Sequence, residues 1–214
     1  SEPSATPASL ASEESPEPPV VIAHMLPDLL NLYGDGGNVR ILEQRLRWRG
    51  IPVEVRRIQH GEAVDFSQVD LVFMGGGPDR EQKLASEQLL AMRDELAVYV
   101  EGDGPLLAIC GGYQILGRQW LWGDELVPGL GRVVSSCGHC NNDDNRVEGA
   151  RYKNVVGTYS HGPLLSKNPE VADWLLARAL ERRAERTGTP AADLAPLDDS
   201  AELAANASMV KRLS

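Results

Sequence analysis

Leu106-Leu107-Ala108-Ile109-Cys110-Gly111-Gly112-Tyr113-Gln114 decides the fold. A short apolar run after Gly104-Pro105 reads as a strand buried on both faces, and two glycines behind a cysteine read as a tight turn into a helix near Gly112. Working outward, Leu71 to Met74 is a second apolar run, closed by Gly75-Gly76-Gly77-Pro78, and Val53 to Ile58 is a third. Val20 to Leu26, stopped by Pro27, is a fourth. Between them lie helical periods. One starts at Val39, with Asn38 as N-cap and Gly50 as stop, and a long one runs from about Asp79 to Val100. Short apolar strands alternating with helices specify an open, mainly parallel α/β sheet with helices on both faces, because parallel neighbours need crossover connections. Ligands of such sheets gather at the carboxyl ends of the strands, so the loops after Met74 and Ile109 are the places to search.

Beyond Leu126 the pattern is weaker. Leu126 to Val134 reads as a strand, Cys137 to Gly149 as a polar loop, Val155 to Tyr159 as a strand and Asn168 to Arg183 as an amphipathic helix. The expected organisation is a Pro/Ser/Glu-rich disordered tail over 1–19, one domain over 20–185, and a Pro- and Ala-rich tail over 186–214 with a short helix near Ala201 to Val210. A chain of 214 residues leaves room for one sizeable domain. A net charge of −10 disfavours nucleic acid and anionic lipid as partners, since both are gripped by clustered Lys and Arg. No run approaches the roughly 20 apolar residues of a membrane span, so a soluble protein without direct membrane insertion is expected. Three cysteines are too few for a disulfide framework and point to a reducing, cytoplasmic setting.

Cys110 stands where a nucleophile elbow would place it, pushed out at the sheet edge by a turn that demands small residues. Helix-start N–H groups would favour its thiolate. The plain alternative is a buried small hydrophobe. Three successive glycines let backbone approach a ligand, which marks Gly75 and Gly77 as substrate-contacting positions and the Gly76 N–H, with that of Gly111, as an oxyanion hole. A turn without catalytic meaning is the alternative there. His161, in Tyr159-Ser160-His161-Gly162-Pro163 directly after a strand, fits a general base to the thiol and then a general acid to a departing amine. His24 and His60 read as structural.

Cys110-Gly111-Gly112-Tyr113-Gln114, Gly75-Gly76-Gly77-Pro78-Asp79-Arg80-Glu81-Gln82 and Tyr159-Ser160-His161-Gly162-Pro163 together resemble the cobyric-acid-synthase-like branch of the class I glutamine amidotransferases, which are flavodoxin-like. Asn31-Leu32-Tyr33-Gly34-Asp35 and Asn141-Asn142-Asp143-Asp144 are similar to the glutaminase subunits of lipid II isoglutaminyl synthases. The resemblance spans Val20 to Arg183. It implies that Cys110 attacks the side-chain amide of L-glutamine to give a γ-glutamyl thioester, that His161 protonates the leaving ammonia and later activates water, and that Gln114 helps hold the substrate. It also implies a heterodimer with a Mur-ligase-like synthetase subunit of the MurT type. That subunit would carry ATP and Mg and amidate the D-glutamate α-carboxyl of lipid II to D-isoglutamine, at the inner face of the membrane. No cofactor or metal is expected in this chain. Independently of the family, the absence of a Gly-x-x-x-x-Gly-Lys-Ser/Thr loop leaves the sequence with no recognisable ATP cradle, so a partner must activate the acceptor.

Two features depart from the family. Pro163 occupies the position, two after the histidine, where many class I glutaminases place an orienting carboxylate; an acid donated across the partner interface is the favoured replacement. Cys110 and His161 are also closer in sequence than the family leads one to expect, with the shortfall between about Gly131 and Gly138. Cys137-Gly138-His139-Cys140 looks like a disulfide-isomerase motif, but Asn141-Asn142-Asp143-Asp144 behind it is a poor helix start, and a surface loop is the simpler reading. The competing functions are an amidotransferase for another acceptor, such as a cobyrinic-acid-type substrate, and a silent docking module. Retention of Cys110, His161 and the glycine loop tells against silence.

Overall fold

A computed structural model describes residues 17–122, 125–131 and 149–213. Much of the N-terminal tail, the Cys137-Gly138-His139-Cys140 motif and the Asn141 to Asp144 run lie outside the described residues.

Chain order is β1 (Val20–Met25), α1 (Gly36–Trp48), β2 (Val53–Ile58), β3 (Leu71–Met74), α2 (Asp79–Ala91), α3 (Arg93–Glu101), β4 (Leu106–Ile109) and α4 (Gly111–Leu116). The hairpin β5 (Gln119–Trp122) and β6 (Glu125–Pro128) follows, then β7 (Ala150–Tyr152), β8 (Val155–Thr158), α5 (Pro169–Thr187) and α6 (Ser200–Leu213). Six strands form one sheet in the order β2-β1-β3-β4-β8-β7, parallel except for the edge strand β7. Its parallel part runs in flavodoxin-like order, with the first two strands exchanged.

Alternation along the strands explains why both faces are covered. Ala23, Met25, Val72, Met74, Leu106 and Ala108 meet Ala85 and Leu89 of α2, Leu96, Tyr99 and Val100 of α3, and Tyr113, Ile115 and Leu116 of α4. Val20, Ile22, Leu71, Phe73, Leu107 and Ile109 pack against Val39, Leu42 and Leu46 of α1 and Leu175, Leu176, Ala179 and Leu180 of α5.

Several elements differ from expectation. The helix expected from Val39 begins at Gly36, so Asn38 lies inside it and caps nothing there. The long helix breaks at Met92 into α2 and α3, and the strand expected over Leu126 to Val134 is described only as the short hairpin arm β6. The C-terminal segment is docked rather than loose. Arg45 of α1 forms paired bonds of 2.6 to 3.0 Å with both Asp173 of α5 and Asp199, just ahead of α6. Burial pushes the Asp173 carboxyl up, but the Arg45 and Arg49 guanidinium groups outweigh it and hold it below its ordinary value. Among the described residues no helix is long and apolar enough to cross a membrane.

Candidate functional site

Cys110 is the N-terminal flanking residue of α4, with φ 50° and ψ −112°. That combination is hostile to an L-residue and marks a tight elbow held by its surroundings. The surroundings are explicit: Cys110 N–H donates to Thr158 O at 2.8 Å, and Gly112 N–H donates to Gly75 O at 2.9 Å. A side chain at Gly112 would sit 2.8 Å from that same oxygen, so the elbow needs its second glycine. Cys110 is only 8% exposed. Burial pushes its thiol up; the Gly111 N–H opposes, and the carboxylates of Asp35 and Asp79 add to the rise. Burial is the largest of these influences and pushes the thiol above its ordinary value, against the lowering expected from a helix start. The thiol needs a base.

His161 is brought to the same edge by sheet order. β4 and β8 are parallel neighbours, Ile109 standing beside Thr158, so the loops carrying Cys110 and His161 leave adjacent strands in the same direction. The His161 ring is exposed and meets Tyr159 edge-on at 5.6 Å. Its loop is pinned from α1: Asn38 Nδ2 donates to Gly162 O at 3.2 Å, and Leu165 N–H donates to Asn38 Oδ1 at 3.0 Å. Asn38 thus braces the histidine loop instead of capping its own helix.

The glycine loop divides its duties by direction. A Cβ on Gly76 would lie 2.8 Å from Cys110 Cβ and 3.1 Å from its Sγ, which places this residue over the thiol. Cβ atoms on Gly75 or Gly77 would instead run into the carbonyl oxygens of Leu30 and Leu29. Those two glycines are thus required by the turn after β1, a packing reason in addition to the substrate contact expected of them. The Gly76 N–H does not face the thiol as an oxyanion donor. It donates to Asp35 Oδ2 at 2.7 Å, and the neighbouring amide, Gly77 N, is the one 3.3 Å from a Cβ built on Gly111.

Asp35 closes the Asn31-Leu32-Tyr33-Gly34-Asp35 motif, but nothing in the sequence assigns it a role of its own, because an acid after glycine looks like a turn residue. It is 1% exposed. Burial pushes its carboxyl up, opposed by the Gly76 N–H, the charge of His161 and the Gly162 N–H, so Asp35 feels both arms of the site. Gln114 is also engaged: Gln82 Nε2 donates to Gln114 Oε1 at 2.9 Å, and Gln114 Nε2 donates to Tyr159 Oη at 3.4 Å. This chain of amides borders Gly111, since a Cβ there would meet Gln82 Oε1 at 2.6 Å. Gln82 was visible in the glycine-loop motif, but nothing in its helical position announced that it turns inward. His24 is 4% exposed against Phe73 and, through burial and then Arg57, falls to about 4, a neutral core residue. Among the described residues no cluster of three His, Cys, Asp or Glu side chains is arranged to hold a metal ion.

Residues 21–132 match the CobB/CobQ-like glutamine amidotransferase domain, just over half the chain and including β1, β3, β4, the glycine loop and Cys110. The chain belongs to that family of glutamine amidotransferases. Within it, the chain is similar to the lipid II isoglutaminyl synthase (glutamine-hydrolyzing) subunit GatD of Staphylococcus aureus (strain N315). The two are 34% identical, over 90% of this chain and 96% of that one. The subunit of the same name from Streptococcus pneumoniae (strain ATCC BAA-255 / R6) is 30% identical, over 82% of this chain and 86% of its own length. A cobyric acid synthase of Synechococcus sp. (strain RCC307) is 38% identical, but over only 35% of this chain and 15% of its own length. The staphylococcal alignment runs over 237 positions, more than the 214 residues of this chain, so that relative has residues this chain lacks.

Proposed function

We propose that this amidotransferase hydrolyses L-glutamine on Cys110 and delivers the ammonia to a Mur-ligase-like synthetase subunit. That partner, of the MurT type, would use ATP and Mg to amidate the D-glutamate α-carboxyl of lipid II. The observation that carries the reading is a strained, buried cysteine presented beside a histidine loop from the adjacent strand, in a chain aligned along nearly its whole length with GatD subunits. In the first half-reaction His161 takes the thiol proton as Sγ adds to the amide carbon. The resulting oxyanion collapses, the C–N bond breaks, and the imidazolium returns the proton to the leaving ammonia. Water, deprotonated by the same ring, then cleaves the thioester to glutamate and free thiol. Ammonia is protonated and non-nucleophilic in neutral water, which calls for a shielded route to the partner.

The hollow beside the histidine supports a place for such a partner to approach. With Ser160, Pro163, Leu164, Met209 and Val210, His161 lines this hollow of about 180 Å³ between its loop and α6. An acid entering there would replace the carboxylate that Pro163 displaces and would couple hydrolysis to assembly. Equal glutaminase rates for the isolated chain and the complex would remove that coupling. The decisive experiment is reconstitution with the synthetase. Cys110→Ala should abolish glutamine-dependent amidation while added ammonium restores it; glutamine-dependent product from Cys110→Ala would refute the mechanism.

A further inference from the structure

Gly76 is held through both of the peptide groups it joins by one turn. Its N–H donates to Asp35 Oδ2 at 2.7 Å, and its carbonyl accepts from Leu32 N–H at 2.9 Å. Leu29 and Leu30 fill the space against Gly77 and Gly75, leaving the loop no side chain with which to shift. Just past the turn, in the first turn of α1, a Cβ on Gly37 would sit 3.1 Å from Pro163 Cβ, which brings the histidine loop against the same region. A buried carboxylate accepting a backbone N–H is a strong, charge-assisted bond, and residues 29–35 spend it on a peptide that lies over the thiol. Gly76 N–H is therefore committed away from the substrate, and Gly77 N is the amide beside Gly111.

We propose that Asp35 is the positioning residue of the oxyanion hole: by fixing the Gly75–Gly76 peptide, next to the Gly76–Gly77 peptide that Leu32 N–H holds, it presents Gly77 N–H, together with Gly111 N–H, to the tetrahedral oxygen formed on the Cys110 adduct. The proposal rests on the glutaminase reading above. Oxyanion donors act only where negative charge develops, so losing their alignment should lower kcat and leave substrate binding nearly intact. Thiol alkylation by iodoacetamide is a displacement at carbon that develops no oxyanion, and it reports separately on whether Cys110 is still reached by a small reagent and nucleophilic.

The test uses the chain in complex with its synthetase, assayed for glutamate release and for iodoacetamide capture of Cys110. Asp35→Ala is expected to lower kcat about 100-fold, the scale of losing one oxyanion donor, with KM changed less than about threefold and capture of the thiol no slower than in the wild type. Asp35→Asn keeps an acceptor oxygen in a side chain of the same shape, and provides the measurement should the alanine variant not fold. It is expected to retain at least about a tenth of the wild-type kcat. Unchanged kcat in Asp35→Ala, or a fall in alkylation matching the fall in hydrolysis, would overturn the proposal. So would a loss in Asp35→Asn of about 100-fold, which would assign the residue a charge role. If instead the wild-type complex released no glutamate, the parent reading would fail, and it would do so before any variant was made.

Discussion

The two ends of the central sheet are built on different principles. At the amino ends of the strands, Asp70 is fully buried and saturated: it accepts Val21 N–H at 2.8 Å and a forked pair from Arg186 at 2.7 and 3.0 Å. Arg182 donates to Val69 O at 2.8 Å and lies over the Tyr99 ring, while Tyr99 Oη donates to Pro105 O at 2.8 Å. At the carboxyl ends no such staple occurs among the described residues. Instead, glycines let backbone meet backbone, a cysteine is held at a disfavoured dihedral, and the buried acid Asp35 bonds a peptide N–H. The amino edge carries stability and the carboxyl edge carries geometry for chemistry, a division that single substitutions can break or sharpen.

The largest effect on folding should come from the stapled end. Asp70→Ala leaves Arg186 without its fork and Val21 N–H without its acceptor, and the loss of one partner from a buried ion pair costs about 3–5 kcal/mol. Denaturant unfolding should show that loss, while kcat per folded molecule stays at the wild-type value. A parallel fall in kcat would mean that the two ends are not independent.

Next in size, Gly77→Ala drives a methyl group into the Leu29 carbonyl and must displace the loop over the thiol. Overpacking of this kind costs about 1–3 kcal/mol, and a shift of the loop should lower kcat by about 100-fold. Here stability and activity fall together, the reverse of the Asp70 result. A normal kcat in Gly77→Ala would show that this peptide is not part of the hole.

That division also separates what could be read in the sequence from what could not. β3 and β4 are short, uninterrupted apolar runs ending in glycine or Cys-Gly-Gly, and their existence and burial follow from those runs. That Cys110, His161 and the glycine loop lie at neighbouring strand ends was legible from the apolar runs that precede each of them. β7 was not, since Ala-Arg-Tyr is a brief antiparallel edge strand with no apolar run to announce it. The break at Met92 was hidden because Arg93-Asp94-Glu95-Leu96 continues a helical composition straight through it. The bracing roles of Asp35, Asn38 and Gln82 were not legible for a common reason: each is polar in a local context where polar residues are ordinary, and only the approach of segments 41, 124 and 32 residues away turns them inward. Local pattern encodes elements and reactive residues; the bonds that brace a site depend on which loops the sheet brings together.

A smaller effect isolates the strain at the elbow. Glycine tolerates φ 50°, ψ −112°, whereas alanine at 110 keeps the steric conflict that cysteine suffers. Cys110→Gly should therefore unfold about 1 kcal/mol less readily than Cys110→Ala, despite the usual penalty of glycine. A Cys110→Gly chain less stable than Cys110→Ala would show that the elbow stores no strain.

The smallest effect concerns the proton on the thiol, and its sign follows from the groups around it. Burial favours the neutral form, and the negative charges of Asp35 and Asp79 favour it further, so the thiol loses its proton above its ordinary value. Only the thiolate reacts with iodoacetamide, so in His161→Ala, where the base is gone, capture should accelerate with pH and reach half its plateau in the alkaline range. Removing a neighbouring negative charge stabilises the thiolate. Asp79→Asn in that background should move the midpoint downward, and it leaves the residue that bonds Gly76 untouched. A midpoint that stayed in place would mean that burial alone sets the thiol. An upward move would contradict the placement of Asp79 beside the elbow, because no arrangement of like charges makes a thiolate easier to form.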